Sequence, residues 1–289
     1  MIIVRLKGGL GNQMFQYALG RVLALKNGTE LKLNTSFLNL NFKSITKRIY
    51  NLDVFNIRAG IAKESDIPFI FRLPNNKICL YLIFLFRKII KSNGQEKSFN
   101  FNKKILSVGR NAYLNGYWQS PKYFEGFEEV IRKDFTLKNP PAQNIQNLAG
   151  EIEKINSLCI HVRRGDYIGN KNHEIVNQEY YEKGIEHISQ KTSIEKIYIF
   201  SDDIAWCKNN LKFDFPIMFV DDEYAGEKDE GHMFLMSKCK NFIIANSSFS
   251  WWGAWLSNNK DKIVVCPKKW FPNISIDTSD LIPKNWIRI

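Results

Sequence analysis

The 289-residue sequence has few cysteines, and their arrangement excludes the sites that cysteines usually form. Their number is odd, they are scattered, and no C-x-x-C pair occurs, so we expect neither a disulfide framework nor a zinc site. The pattern is typical of a reducing compartment and predicts a cytoplasmic protein. The cysteines are Cys79, Cys159, Cys207, Cys239 and Cys266.

Long apolar runs are also missing. The longest, residues 78–86, is about half of the roughly 20 residues that span a bilayer, and it predicts a buried strand or helix. Arg87, Lys88 and Lys91 follow it, which leaves open a peripheral contact with a membrane surface. Residues 1–6 lead directly into a glycine-rich turn, so no signal peptide is expected.

Acidic residues are outnumbered, with 29 Asp and Glu against 41 Lys and Arg, and the formal net charge is +12. This excess favours anionic partners such as nucleotides, nucleic acid or acidic membranes, although a solubilising surface explains many of these lysines equally well. The basic residues are spread along the chain without a nucleic-acid-binding module, so no nucleic-acid partner is expected.

Strand and helix patterns alternate at both ends of the chain, and this rhythm predicts an α/β protein with parallel sheets. Residues 39–110 give no traceable topology. Pro140 and Pro141 place a boundary near 140–155, which gives two Rossmann-like domains, 1–150 and 151–289, facing a central cleft. Strands are predicted at 2–6, 30–33, 111–118, 158–162, 196–200, 217–220, 242–245 and 263–266, and helices at 14–26, 178–189, 232–239 and 251–256.

The N-terminal turn begins a G-x-G-x-x-G pattern at Gly9 and Gly11, but Met14 occupies the third glycine position. Dinucleotide binding is therefore not favoured. The glycines would instead let the backbone approach a substrate, and the amides of Asn12 and Gln13 suit sugar hydroxyls. A helix cap with a solvated turn remains the alternative.

Residues 161–166 (HVRRGD) follow a predicted strand. Alternation places His161 and Arg163 on one face. Adjacent arginines at a strand end repel one another unless an anion lies beside them, and a diphosphate is a natural anion for Arg163 and Arg164. Asp166 could pair with an arginine or act on substrate. A surface ion cluster is the alternative interpretation.

Polar residues precede the tryptophan-rich helix near the C-terminus, and the free N–H groups of such a helix start can bind an anion. Trp252 and Trp255 have the spacing of buried residues, whereas Trp251 could stack on a sugar, or all three could be core. The segment Ser201-Asp202-Asp203 ends a predicted strand, and a carboxylate there could accept from a guanine edge or cap the next helix. The D-x-E spacing of residues 221–223 would suit magnesium, but the arginines already compensate phosphate, so no metal is expected.

Three motifs together, residues 8–16 (GGLGNQMFQ), 161–167 (HVRRGDY) and 244–256 (IANSSFSWWGAWL), strongly resemble the bacterial α-1,2-fucosyltransferases of glycosyltransferase family 11. The resemblance implies a GT-B-like architecture, GDP-β-L-fucose as donor, no cofactor or metal, and inversion at the anomeric carbon. It also implies a galactose-terminated acceptor, free or lipid-linked, in surface polysaccharide synthesis, with the protein cytoplasmic or peripheral at the inner membrane.

The resemblance also assigns roles to residues. Arg163 would bind the β-phosphate. For the base, which the resemblance does not assign, Asp166 is the first candidate and His161 the second, and a loose transition state with a weak base or none is the alternative. A fucosyltransferase of another linkage and a non-catalytic nucleotide-sugar-binding protein remain alternatives. The expected donor contacts are Arg163, Arg164, Asp202, Ser247, Ser248, Gly9, Gly11, Asn12 and Gln13, and the expected acceptor contacts are Asp166, Tyr167 and Trp251.

Overall fold

The computed structural model describes residues 1–38, 48–67, 94–96, 98–169, 176–273 and 276–289, without the side chain of Asp166. These residues form two compact units. Unit 1 contains Met1–Thr136 and Ser279–Leu281, and unit 2 contains Leu137–Thr278 and Ile282–Ile289. The apolar run at 78–86 and Cys79 lie outside the described residues.

The division between the units falls at Thr136, earlier than the boundary expected at 150. The reason is the helix Gln143–Lys154, whose apolar face buries Ile145, Leu148 and Ile152. This face packs against the helix Glu230–Lys238 and so belongs to unit 2. The short return of residues 279–281 to unit 1 has no marker in the sequence.

Unit 1 is built on a four-stranded parallel sheet of order β3-β2-β1-β4. The first helix begins four residues before the predicted start, because Gly9 takes the extended N-cap conformation, and it ends at Gly28 in the left-handed conformation. The strand predicted over 111–118 ends at Leu114. The elements are β1 (Ile2–Arg5), α1 (Leu10–Asn27), β2 (Leu31–Asn34), β3 (Gly60–Ile61), β4 (Ala112–Leu114) and α2 (Glu128–Asp134).

Unit 2 is built on a six-stranded parallel sheet of order β10-β9-β8-β5-β6-β7. Each strand and helix predicted after residue 157 is present within a few residues of its predicted bounds. The elements are α3 (Gln143–Lys154), β5 (Ser157–Val162), α4 (Gln178–Ser189), β6 (Lys196–Ser201), α5 (Ile204–Asn210), β7 (Ile217–Phe219), α6 (Glu230–Lys238), β8 (Asn241–Ile243), α7 (Ser248–Leu256), β9 (Val264–Cys266) and β10 (Ile287–Arg288).

The strand order of each unit contains a switch point, where successive strands stop being added on one side of the sheet and continue on the other. In unit 2 the chain runs from β5 to β7 on one side and from β8 to β10 on the other, which is the Rossmann order. In unit 1, β1 likewise lies between β2 and β4. Ligands of such sheets bind at the carboxyl ends of the strands beside this switch point. The prediction of two Rossmann-like α/β units, as in a GT-B-like protein, is confirmed.

Within the described ranges, no helix is long and apolar enough to cross a membrane. The four described cysteines are buried free thiols. The core of unit 2 lies against β5, all six residues of which are buried. The edge of the sheet where β5 and β8 end therefore lies on a tightly packed core.

Candidate active site

The turn after β5 carries the two arginines, and Asp202 at the end of β6 holds both. Oδ2 of Asp202 lies 3.3 Å from Nη1 of Arg163, and its Oδ1 accepts a hydrogen bond of 2.9 Å from the backbone N–H of Arg164. Strands β5 and β6 are paired up to Val162 and Ser201, which brings these residues together. The repulsion between the arginines is therefore offset by a carboxylate of the chain itself.

Gly165 is required by this arrangement. A Cβ atom built on Gly165 would lie 2.5 Å from Oδ2 of Asp202, far closer than van der Waals contact. Any side chain at this position would displace the carboxylate that contacts Arg163 and Arg164. The glycine of the motif thus allows close approach of the turn to β6.

Arg164 is anchored on the start of α5. Its guanidinium lies 3.7 Å from the ring centroid of Trp206, and its Nε is 3.4 Å from Oδ2 of Asp203. Asp203 also caps α5, because its Oδ1 accepts from the N–H of Trp206 at 3.1 Å. The helix-cap interpretation is correct for Asp203. A donor contact by Arg164 and a guanine contact by Asp202 remain predictions.

A second set of contacts joins the arginine turn to the segment between β8 and α7. Tyr167 is buried, and its hydroxyl donates to the carbonyl of Asn246 at 2.8 Å. The guanidinium of Arg163 lies 5.6 Å from the centroid of the Tyr167 ring. The hydroxyl proton of Tyr167 is thus used within the protein and its ring lies near Arg163, and the acceptor contact of Tyr167 stays a prediction.

Helix α7 begins where β8 ends, on the other side of the switch point. Ser247 is the N-cap, and its Oγ accepts from the N–H of Phe249 at 3.3 Å. Ser248 is the first helical residue and is half-buried. The first-turn N–H groups of a nine-residue helix carry the partial positive charge of its dipole. The polar residues that precede this helix in the sequence thus include its N-cap, and the phosphate contact of the helix start stays a prediction.

His161 is not suited to be the base that the sequence suggested. The side chain is 3% exposed, and burial, together with the charges of Arg163 and His232, lowers the pKa of His161 to about 3. The ring packs against Phe249 at a centroid distance of 6.0 Å. A buried imidazole of such low basicity is a poor proton acceptor, so this prediction is corrected. Asp166 stays the predicted base.

Trp251 does not face a sugar. It is completely buried, and its ring centroid lies 5.0 Å from Trp252, 6.2 Å from Trp255 and 5.4 Å from Trp286. Spacing on a single helix separated Trp251 from Trp252 and Trp255, but the C-terminal segment covers the face to which it points. The core interpretation is correct for all three tryptophans, and the acceptor contact of Trp251 is corrected.

The N-terminal motif lies at the switch point of unit 1, and much of it is structural. The fully buried amide of Gln13 donates to the carbonyls of Gly8 and Ile49 and accepts from the N–H of Asn51. This amide makes three hydrogen bonds within the protein, which argues against its predicted donor contact. Gly9 is the N-cap of α1, and Gly11 lies buried in its first turn. Donor contacts by these glycines remain predictions.

Asn12 contacts a residue from a distant part of unit 1. Gln119, its partner, and the neighbouring Trp118 were not singled out from the sequence. Oδ1 of Asn12 accepts from Nε2 of Gln119 at 2.5 Å. Gln119 follows Trp118, which is buried although its φ of 55° is in the left-handed region. A bulky residue rarely adopts this conformation, and strain of this kind is concentrated at functional sites. A single sequence offers no signal for a left-handed tryptophan.

Glu96 fixes the turn that contains Trp118. Its carboxylate accepts from the N–H groups of Tyr117 and Trp118 at 2.6 and 2.9 Å. Burial raises the pKa of Glu96 and lowers the pKa of Lys7, whose ammonium lies 4.3 Å from the Tyr117 ring centroid. Two half-buried groups of opposite charge thus flank the turn between β4 and α2.

No cluster of three or more histidine, cysteine or acidic side chains that could hold a metal ion occurs among the described residues. In the acidic segment 221–223, the carboxylate of Asp221 pairs with Lys208 at 2.8 Å. Its carbonyl lies 3.1 Å from Nε2 of His232. These two contacts give Asp221, the first residue of the D-x-E pattern, partners within the protein.

These features define an α/β protein whose second sheet ends in an arginine turn and a serine-capped helix. The model of the family described as glycosyl transferase family 11 matches residues 82–289, and similarity to two Escherichia coli proteins extends over nearly the whole chain. The chain belongs to glycosyltransferase family 11.

Three curated relatives illustrate the range of this similarity. The chain is 34% identical to an alpha-1,2-colitosyltransferase of Escherichia coli, with 100% of this chain and 99% of the relative covered. It is 34% identical to the O-antigen biosynthesis glycosyltransferase WbnK of Escherichia coli, with 98% of this chain and 99% of the relative covered. It is 22% identical to a galactoside 2-alpha-L-fucosyltransferase of Caenorhabditis elegans, with 91% of this chain and 71% of the relative covered.

Proposed function

We propose that this protein transfers L-fucose from GDP-β-L-fucose to the 2-hydroxyl of a β-galactoside with inversion, in the synthesis of a bacterial surface polysaccharide. The observation that carries the proposal is the junction of the arginine turn with the start of α7. Arg163 lies beside Tyr167, and Tyr167 is hydrogen-bonded to Asn246, two residues before the first residue of the helix. A guanidinium and a helix N-terminus at one sheet edge are suited to a diphosphate.

The reaction we propose is a single displacement. The acceptor hydroxyl forms a bond to C1 of fucose, the bond from C1 to the β-phosphate oxygen breaks, and GDP leaves with that electron pair. Arg163 and the N–H groups of the first turn of α7 stabilise the charge that grows on the diphosphate, and preorganised donors of this kind contribute about 3–4 kcal/mol each. The hydroxyl proton passes to Asp166, and no metal takes part.

The donor sugar has a second candidate, because one relative with 34% identity is named as a colitosyltransferase. Colitose is L-fucose without the 3-hydroxyl, so the same diphosphate site would serve both donors. Fucose is favoured by the three motifs and by the relatives named as fucosyltransferases. A site that hydrogen-bonds the 3-hydroxyl would discriminate strongly against the deoxy sugar, whereas an apolar pocket would accept both.

A competition assay tests the donor. The purified protein receives GDP-fucose and GDP-colitose at equal concentrations, with lactose as acceptor and a chelator in place of added metal. Our proposal predicts that the fucosylated product dominates and that the chelator changes neither rate. Predominance of colitose in the product would identify GDP-colitose as the donor. Loss of activity with the chelator would contradict metal independence.

The natural acceptor we propose is a galactose-terminated glycan, free or linked to lipid at the inner face of the membrane. The net charge of +12 would favour an anionic surface, and one relative is named for O-antigen biosynthesis. Sedimentation with vesicles tests this part. Binding to vesicles with anionic lipid but not to neutral ones is expected, and equal binding to both would contradict it.

A further inference from the structure

The switch point of unit 1 contains two buried polar atoms without partners. Nε1 of Trp118 and Oε1 of Gln119 make no hydrogen bond with the residues that the structure describes, although Trp118 and Gln119 are only 1% and 7% exposed. Buried polar groups are nearly always paired, and each exception calls for an explanation. The indole N–H is a donor and the amide oxygen is an acceptor, so a partner of both atoms must itself accept and donate.

The surrounding contacts fix which atoms are left without partners. The amide nitrogen of Gln119 donates to Oδ1 of Asn12, and this bond turns the oxygen of Gln119 away from Asn12. Trp118 is held by Glu96, which accepts from its backbone N–H, and by Tyr123, whose ring meets the indole edge-to-face at 5.7 Å. The orientation of both side chains is thus imposed by three different parts of unit 1.

Gly116 makes room for the strained turn. A Cβ atom on Gly116 would lie 2.6 Å from Cε2 of Trp118, the carbon bonded to the indole nitrogen, and would also overlap the Cβ of Glu96. The left-handed Trp118 therefore persists because its surroundings determine it. The strain is maintained in the loop after β4, and Asn12 lies in the first turn of α1, the helix that follows β1 at the same switch point.

We propose that Trp118 and Gln119, positioned by Asn12, bind hydroxyl groups of the acceptor sugar in unit 1. A hydroxyl can accept from the indole N–H of Trp118 and donate to the amide oxygen of Gln119, so hydroxyl groups match both unpaired atoms. The ligand is an uncharged polyol, because the binding atoms are uncharged and the neighbouring charges of Lys7 and Glu96 act on one another. This inference rests on the proposed function for the identity of the sugar, and it gives the N-terminal motif a role in holding Gln119.

The test pairs protein variants with acceptors that lack one hydroxyl. Trp118→Phe removes the indole N–H and keeps an aromatic ring, and Gln119→Met removes the amide while preserving length. Both should raise KM for methyl β-galactoside roughly five- to tenfold and leave the Kd for GDP unchanged. With the 3-, 4- and 6-deoxy galactosides, each variant should lose its effect for one analogue, which identifies the hydroxyl it contacts.

The matched control is Gln16→Met, which makes the same chemical change in a buried amide bonded to both backbone groups of Lys7. It should lower thermal stability without coupling to any acceptor hydroxyl. A uniform effect of Trp118→Phe and Gln119→Met on all analogues would mean a merely structural role, and would overturn the inference. Unchanged acceptor KM would mean that the two atoms are satisfied by water, and would also overturn it.

Binding of methyl β-galactoside without donor, followed by saturation-transfer NMR, separates this inference from the proposed function. Signals in the wild type that disappear in Gln119→Met would support the sugar site even if no fucose is transferred. Transfer by the wild type with equal binding by the variant would leave the proposed function intact and refute the site.

Discussion

Asp202 lies 3.3 Å from Arg163 and so supplies the charge partner that adjacent arginines at a strand end require. The same carboxylate accepts a hydrogen bond from the backbone N–H of Arg164, so Asp202 fixes the turn as well as the side chain of Arg163. Arg163 is therefore held in place before any phosphate arrives. This organisation makes the arginine turn the part of the molecule on which the proposed reaction depends most.

Removal of the Arg163 guanidinium should abolish most of the activity. Arg163→Ala is expected to lower kcat/KM for GDP-fucose at least about a hundredfold, which corresponds to roughly 3 kcal/mol of transition-state stabilisation. Lys191→Ala removes an exposed cation of the same unit and should leave kcat/KM within twofold. Activity of Arg163→Ala near that of the wild type would remove this residue from the site.

Asp202→Asn separates two roles of this residue. If Asp202 acts by holding Arg163 and Arg164, calorimetry should find that GDP and inosine diphosphate both bind roughly tenfold more weakly, because the charged partner is lost. Inosine diphosphate lacks the guanine amino group. A loss confined to GDP would instead establish the guanine contact expected from the sequence.

A methyl group at Gly165 should disrupt the turn. Gly165→Ala places a carbon 2.5 Å from Oδ2 of Asp202, and overpacking of this kind destabilises by about 1–3 kcal/mol. We expect a lower urea midpoint and a reduced kcat. Gly150→Ala is the matched control, since a Cβ atom added there within α3 would meet nothing within 4 Å beyond the adjoining backbone, and it should stabilise the protein by up to about 1 kcal/mol.

His161 makes stability depend on pH. Its pKa is lowered to about 3 in the folded protein, below the ordinary value of 6.5, so the unfolded chain binds the proton more tightly. Stability from this group is complete above about 6.5 and falls as the pH drops towards 3, by at most about 1.4 kcal/mol per pH unit. Urea unfolding of His161→Gln should show a shallower decline between pH 6 and 5. A decline equal to that of the wild type would contradict the burial effect.

Trp251 should matter for stability and not for the acceptor. Trp251→Ala opens a cavity among the three tryptophans around it and should lower the free energy of unfolding by about 3–5 kcal/mol. Trp251→Phe should retain part of the packing and keep the acceptor KM of the wild type. An increased acceptor KM in the stable Phe variant would restore the sugar contact that the sequence suggested.

The regular elements of unit 2 could be predicted because their signals are local. The apolar run of β5 and the spacing along α4 are written in neighbouring residues, and the structure keeps both elements. The contacts of Asp202 and Trp251 could not be assigned in this way. They depend on which residues a distant strand or the C-terminal segment brings opposite them.

Unit 1 shows the limit more sharply. The glycine turn and α1 were visible in the sequence, but the partner of Asn12 is more than 100 residues away. The left-handed Trp118 is imposed by Glu96 and Gly116, neither of which marks itself in a single sequence. The residues that we assign to the acceptor therefore emerge only from the packed unit.

The most direct test of the account is the structure of the product. The protein should be given GDP-fucose and lactose without added metal, and the purified trisaccharide analysed by NMR. The account predicts a single product in which an α-L-fucosyl residue is joined to O2 of galactose. A fucose at another position, a β linkage, or hydrolysis of GDP-fucose without transfer to any galactoside would contradict it.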